Sequence, residues 1–176
     1  MSYENTRQNV LNVGYDKNNI YVFIQGEATM LVAGTLKKFV LDIISQIANQ
    51  SDTNIYLILK DCGYMDSTFI GTLVIVEKRC VENLNRHILL SNPSNYCLEL
   101  FEQMGLLKVF TIITELPVKK DLNVDPLEMT EIDRLENAIL MFQAHEELSG
   151  INDENKERFS LVSKTLKDQI QKELKK

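Results

Sequence analysis

The stretch Leu57-Ile-Leu-Lys-Asp-Cys-Gly-Tyr-Met-Asp66-Ser67-Thr68-Phe69-Ile70-Gly71 decides the reading of this chain. Its first residues belong to the nearly unbroken apolar run 54–60, the pattern of a strand buried on both faces. Beyond Gly71, Leu73, Val76, Cys80 and Leu84 recur at helical spacing. The triplet Asp66-Ser67-Thr68 therefore lies where a buried strand hands over to a helix. The first-turn amides of a helix are unsatisfied donors and its N-terminus is electropositive, so an oxyanion is favoured there. By local chemistry alone, Asp66 or Ser67 is a helix N-cap worth about 1 kcal/mol.

The flanks supply a context. Val10, Leu11, Val13 and Tyr15 lead into the polar turn Asp16-Lys17-Asn18-Asn19, and Ile20, Val22 and Ile24 alternate with Tyr21 and Phe23 up to Gly26. That is a hairpin whose second strand is apolar on both faces and so central. Leu36, Phe39, Val40, Ile43, Ile44 and Ile47 give a helix over about 31–49 one apolar face. A short strand at His87–Leu90 stops at Ser91-Asn92-Pro93, a helix over 95–104 ends at Gly105, and Val109–Ile113 is a last strand. The order β-β-α-β-α-β-α-β implies an α/β fold with a mixed sheet of four to five strands and right-handed crossover helices.

This unit closes near residue 116. Residues 117–125, with Pro117 at their start and Pro126 after them, read as a linker. Residues 126–176 then read as a C-terminal helical hairpin. One helix runs over about 126–148 with Ile132, Leu135, Ile139 and Phe142 on a face, capped at Asp125-Pro126. The other runs over about 153–175 with Phe159, Val162, Leu166 and Ile170 aligned. Residues 121–157 hold eleven Asp/Glu against two Lys/Arg, and residues 158–176 hold six Lys/Arg against two Asp/Glu. Opposite charge favours antiparallel packing of the two helices, which then form either a solvated helical pair with no further role or a partner-binding or dimerising surface.

The formal net charge of −6 and pI near 5.0 speak against direct nucleic-acid binding, which wants a basic patch. Cys62, Cys80 and Cys97 form no C-x-x-C pair, and only His87 and His145 could join them, so neither a zinc site nor another cofactor is expected. The N-terminus lacks the layout of a signal peptide, and no apolar run approaches a membrane span of about 18 residues, so a cytoplasmic protein is expected. No P-loop or G-x-G-x-x-G occurs, and the paired carboxylates Glu146-Glu147 fall on a solvated helix face, so an enzyme is not expected.

An apolar strand followed by Tyr-Met-Asp66-Ser67-Thr68-x-Ile70-Gly71 resembles the phosphorylation loop of anti-sigma factor antagonists in the STAS domain family. The family pattern is Asp-Ser-Ser/Thr-Gly-Leu/Ile-Gly. The hairpin ending at Gly26-Glu27 and the run Phe101-x-x-Met-Gly-Leu-Leu-Lys-Val-Phe align as well, so the resemblance covers about residues 8–116. It implies that the unphosphorylated protein binds an anti-sigma factor, itself a serine/threonine kinase, and so frees a sigma factor. The kinase would phosphorylate Thr68 or Ser67, with Thr68 slightly ahead, and a PP2C-type phosphatase would reverse the step. Asp66, Phe69, Ile70 and Gly71 would shape the partner surface. A phosphate brings about −1.5 to −2 charges beside Asp66. A penalty of about 2 to 3 kcal/mol would weaken binding about 30- to 150-fold.

One position departs from the pattern. Phe69 stands where the family has glycine, putting bulk at the rim of the docking surface, as an anchor for a different partner or a block to the kinase. Together with the tail, which the minimal family member lacks, it keeps an alternative open: an unphosphorylated STAS scaffold in a signalling or lipid-transport assembly. A homodimer through the C-terminal helices also remains open.

Overall fold

A computed structural model of the chain describes residues 10–49, 52–115 and 121–175. The opening hairpin is β1 (Leu11–Tyr15) and β2 (Asn19–Ile24), paired antiparallel with Val13 opposite Val22. Asp16 organises the turn between them, accepting from the Asn18 amide at 3.1 Å and from the Tyr21 hydroxyl at 2.8 Å. A short strand β3 (Gly26–Ala28) leads into helix α1 (Met30–Gln46). Strand β4 (Asn54–Ile58) is followed by β5 (Cys62–Met65) and helix α2 (Ser67–Leu84). Then come β6 (Leu89–Ser91), α3 (Asn95–Gln103), a 3-10 turn at Leu106–Lys108 and β7 (Thr111–Ile113).

The main sheet has six strands in the order β7-β6-β4-β2-β1-β8, where β8 is Val124–Pro126. Strand β2 is central, as its two apolar faces require. It runs antiparallel to β1 and parallel to β4, and Tyr21, Val22 and Ile24 are fully buried. Val22, Leu57 and Leu90 join Leu36, Val40, Leu73 and Val76 of α1 and α2 in one core. A smaller cluster of Tyr21, Tyr56 and Ile58 has Phe23, Leu89, Ile113 and Leu122 packed around it. The Tyr21 and Tyr56 rings stack there at 5.2 Å.

Three features differ from the sequence reading. The sheet gains a sixth strand from the segment taken as linker: Val124 pairs with Gly14 and Pro126 with Asn12 at the sheet edge, where proline's missing N–H costs nothing. Gly14 makes room for it, since a Cβ there would lie 2.7 Å from Leu122 Cδ2. Residues 117–120 of the expected linker lie outside the described residues. Second, Asp125-Pro126 does not cap a helix. The chain first runs over α1 as a strap, with the Thr130 amide donating to Thr35 Oγ1 at 3.0 Å and Ile132 seated on Gly34. Helix α4 (Arg134–Ser149) then starts at Asp133, whose carboxylate accepts from the Glu136 amide while Glu136 accepts from the Asp133 amide. Third, β3 and β5 pair as a separate two-stranded parallel ribbon within stretches read as strand end and loop.

Helix α5 (Asp153–Glu173) folds back on α4 as the helical hairpin expected. Its buried side chains include Phe159 and Leu166, with Val162 and Ile170 half-buried. On α4 the buried residues are Ala138, Leu140, Ala144, His145 and Leu148, while Leu135, Ile139 and Phe142 are only half-buried. The reason is that α4 packs mainly between α2 and α5, touching α1 as well, and its buried stripe is shared among these neighbours. The expected charge pairing between the helices takes another course: Glu147 bonds Lys78 of α2, and Glu154 bonds Arg158 one turn along α5. Among the described residues, no helix is long and apolar enough to cross a membrane, and no three His, Cys, Asp or Glu side chains gather as a metal site.

Candidate functional site

The β3–β5 ribbon brings the N-termini of α1 and α2 side by side, and Asp66 ties them together. Its Oδ1 accepts from the Phe69 amide at 2.8 Å, capping α2. Its Oδ2 accepts from the Met30 amide at 2.7 Å, at the first turn of α1. The Asp66 amide in turn donates to the Ala28 carbonyl at 3.1 Å. One carboxylate thus serves orphan amides of two helices, and both of its oxygens are engaged.

The sequence-predicted residues fall out around this cap in unequal positions. Ser67 is half-buried at the first position of α2. Thr68, placed first as phosphate acceptor, is only 3% exposed. Phe69 does not stand at a rim. It is 0% exposed, packed in the core with Ile70 and Leu73. Gly71 is buried where α4 crosses α2, and a Cβ added there would lie 2.3 Å from the Ala144 carbonyl oxygen and 2.7 Å from its Cα. Ordinary contact starts near 3.4 Å, so only glycine admits this crossing.

His145, 78 residues from Ser67, completes the site. Its Nε2 lies 2.9 Å from Ser67 Oγ and its Nδ1 lies 2.8 Å from the Met141 carbonyl oxygen. A carbonyl can only accept, so Nδ1 carries the ring proton, and Nε2 of the neutral ring accepts from the Ser67 hydroxyl. The His145 ring is 4% exposed and tilts against Phe159 of α5 at 5.3 Å. Burial lowers its pKa below the usual 6.5, opposed by its bond to the Met141 carbonyl and by the Asp66 charge. The neutral ring is thus the form this packing favours.

The far end of the hairpin is held separately. Asn155 Nδ2 donates to the Met104 carbonyl at 3.0 Å and Asn152 Nδ2 does so at 3.4 Å. Both reach the turn at Gly105, where φ is +69° and a Cβ would press on Asn152. The sequence reading missed His145, Ala144 and Asn155. One signal pointed to a cover such as His145 and Ala144 supply: residues 68–77 of α2 are apolar on nearly all sides, and a helix hydrophobic all round must be covered all round; nothing in the sequence pointed to Asn155.

The family model of the STAS domain matches residues 13–120. The chain belongs to the STAS domain family. Among curated proteins no sequence relative matches. In solved structures the STAS fold recurs in a candidate anti-sigma factor antagonist from Thermotoga maritima, at 19% identity and a TM-score of 0.50, covering 59% of this chain and 86% of that one. Two further matches are to the anti-sigma factor antagonist SpoIIAA. Its unphosphorylated form has 20% identity and a TM-score of 0.44, over 60% of this chain and 89% of that one. The phosphorylated form of the Bacillus protein has 20% identity and a TM-score of 0.42, over 60% and 92%. These likenesses concern the STAS fold. The α4–α5 hairpin follows the 13–120 match, and the STAS domain carries it against its own α2.

Proposed function

We propose that the protein is an anti-sigma factor antagonist: unphosphorylated, it binds an anti-sigma factor that is a serine/threonine kinase, and phosphorylation in the Asp66-Ser67-Thr68 loop releases it. The reading rests on membership of the STAS family and on one observation, a serine hydroxyl at the N-terminus of α2 beside a carboxylate whose two oxygens are already engaged. Asp66 is then the residue that shapes the loop, and Ser67 the acceptor, because Thr68 is more deeply covered. The step joins the γ-phosphorus of a nucleoside triphosphate to Ser67 Oγ. It breaks the bond to the β-phosphate oxygen and releases a nucleoside diphosphate and the hydroxyl proton. A PP2C-type phosphatase returns the hydroxyl by hydrolysis. The new charge beside Asp66 disfavours a docked partner.

A second reading has an observation of its own. With Thr68 and Phe69 buried and α4 seated over Gly71, the loop is covered, as suits a STAS scaffold subunit without phosphoregulation. Mass spectrometry of the protein purified from its native cells, with capture of bound proteins by wild type, Ser67→Ala and Ser67→Glu, separates the two. The antagonist reading expects phosphate on Ser67 and a kinase captured by wild type and Ser67→Ala but not by Ser67→Glu. Equal capture by all three, with no phosphate under any growth condition, leaves the scaffold.

A further inference from the structure

Around Gly71, α2 has the shape of a helix-docking surface. A partner helix reaches its backbone only by presenting a small residue at the crossing, and Ala144 of α4 does so. Two polar contacts flank that crossing: Ser67 with His145 on one side, and Lys78 with Glu147 on the other. Farther out, Lys37 of α1 donates to Gln143 at 2.6 Å. Helix α5 contributes Phe159 behind His145 and anchors the hairpin at Met104.

Leu140, Leu148 and Phe159 of the hairpin join the sheet core, but the rim of the seat is open. A cleft of about 360 Å³ lies between α4 and α1–α2, beside Leu41, Lys78 and Phe142. An open groove of about 980 Å³ lies between α4 and α5 near Gly150 and Lys167. Segments with fewer apolar contacts and more exposed backbone open at lower free energy than core strands. The strap over α1 and β8 would keep the hairpin tethered while it moved.

We infer that the N-terminal face of α2 is a docking surface for an amphipathic helix with a small central residue, that the chain's own α4–α5 hairpin is its resident occupant, and that an outside partner reaches Ser67 only in competition with the hairpin. The inference rests on the proposed function for the identity of that partner, but not for the opening itself. While the hairpin is docked, Ser67 Oγ is committed to His145 and Thr68 is buried, so a kinase acts on the opened form. A charge on Ser67 in turn disfavours redocking, because it would be enclosed beside Asp66, and the packed His145 ring could pair with it only by taking up a proton that its burial resists.

Hydrogen–deuterium exchange on the full chain tests this, comparing wild type with Ser67→Glu, Ser67→Ala, Glu147→Lys and the charge swap Lys78→Glu/Glu147→Lys. Expected are exchange about tenfold faster or more through α4, α5 and the first turn of α2 in Ser67→Glu, with β2 and β4 unchanged. Ser67→Ala should move it little. Glu147→Lys should raise hairpin exchange, and the swap should restore it. The Glu147 arms stand at a solvent edge and keep the test alive if Ser67→Glu folds poorly. Hairpin exchange at the wild-type rate in both Ser67→Glu and Glu147→Lys overturns the inference, as does exchange of hairpin and sheet together at one rate in every variant. If the hairpin opens as expected in Glu147→Lys but that variant, with Ser67 unmodified, captures no kinase, the docking inference stands and the antagonist reading falls.

Discussion

Replacing Gly71 by alanine puts the docking of the hairpin to a quantitative test. The added Cβ would lie 2.3 Å from the Ala144 oxygen, 2.6 Å from its carbonyl carbon and 2.7 Å from its Cα. All three are backbone atoms of α4, so no side-chain rotation relieves the overlap. Restoring ordinary contact takes a retreat of about 1.1 Å, the difference between 3.4 Å and 2.3 Å. Helix α2 is the fixed side, because Leu73 and Val76 lock it to the sheet core; α4 yields. Overpacking of this kind costs about 1 to 3 kcal/mol. Alanine also favours the helical state of α2 by up to about 1 kcal/mol over glycine, whether or not α4 is docked. The docked hairpin should therefore lose about 1 to 3 kcal/mol, and its open population should rise about 5- to 150-fold. The sheet domain should hold its stability or gain slightly. Hydrogen exchange resolved by segment reads both at once: faster in α4 and α5, unchanged or slower in β2, β4 and the second half of α2. Unchanged exchange in α4, or loss of protection in the strands alongside the hairpin, refutes the reasoning.

Three further outcomes are expected. Phe69→Ala should cost about 3 to 5 kcal/mol in urea unfolding, since a fully buried aromatic is removed from the core, and a loss under about 1 kcal/mol would return Phe69 to the surface. Asn155→Ala should cost about 1 to 3 kcal/mol in thermal unfolding by leaving the buried Met104 carbonyl short of a donor, toward the lower end because Asn152 also reaches it. The contribution of His145 should be complete above its ordinary pKa of 6.5 and fall as pH drops toward its lower folded-state value, because the ring of the unfolded chain takes up a proton that the packed ring resists. The facing charge is Asp66, which acts against that resistance. Urea unfolding of wild type and His145→Gln from about pH 7.5 to about pH 5 should show the extra loss only in wild type.

Much of the STAS fold was legible because it rests on periodicity. The apolar run over 54–60, the two-faced strand at 20–24 and the helical spacing in α1 and α2 each specify their element locally and agree with one another. What was not legible depends on distant partners. Three residues ending in Asp-Pro read as a helix start, and only the free edge of β1 makes Val124–Pro126 a strand. The β3–β5 ribbon has three and four residues, too short for alternation to register. Asp66 and Ser67 were identifiable as a helix N-terminus. The second helix that Asp66 serves lies 36 residues away, and the histidine facing Ser67 lies on an element whose own pattern pointed to a different face. The apolar character of α2 on all sides carried that information without saying which segment supplied the cover.

A resident helix changes what an outside partner must bring. A segment tethered by a short strap faces its own docking surface at an effective concentration on the order of millimolar. A free partner at about a micromolar, offering α2 a helix of equal intrinsic affinity, would be about a thousandfold behind, a deficit of about 4 kcal/mol. Charge at Ser67 does not close that gap. It weakens the seat of α4, but it stands in the same interface that the partner helix would occupy, and it penalises both. Binding by the unmodified protein therefore requires contacts outside the α2 face, on surfaces that α4 and α5 leave free. The tips of the parallel strands and the exposed Tyr64 and Tyr96, stacked at 6.2 Å beside the entrance to α2, are the nearest such surface. On this reasoning the hairpin sets a threshold: a partner that reads only the loop is excluded, and one that also grips the Tyr64–Tyr96 edge can displace α4.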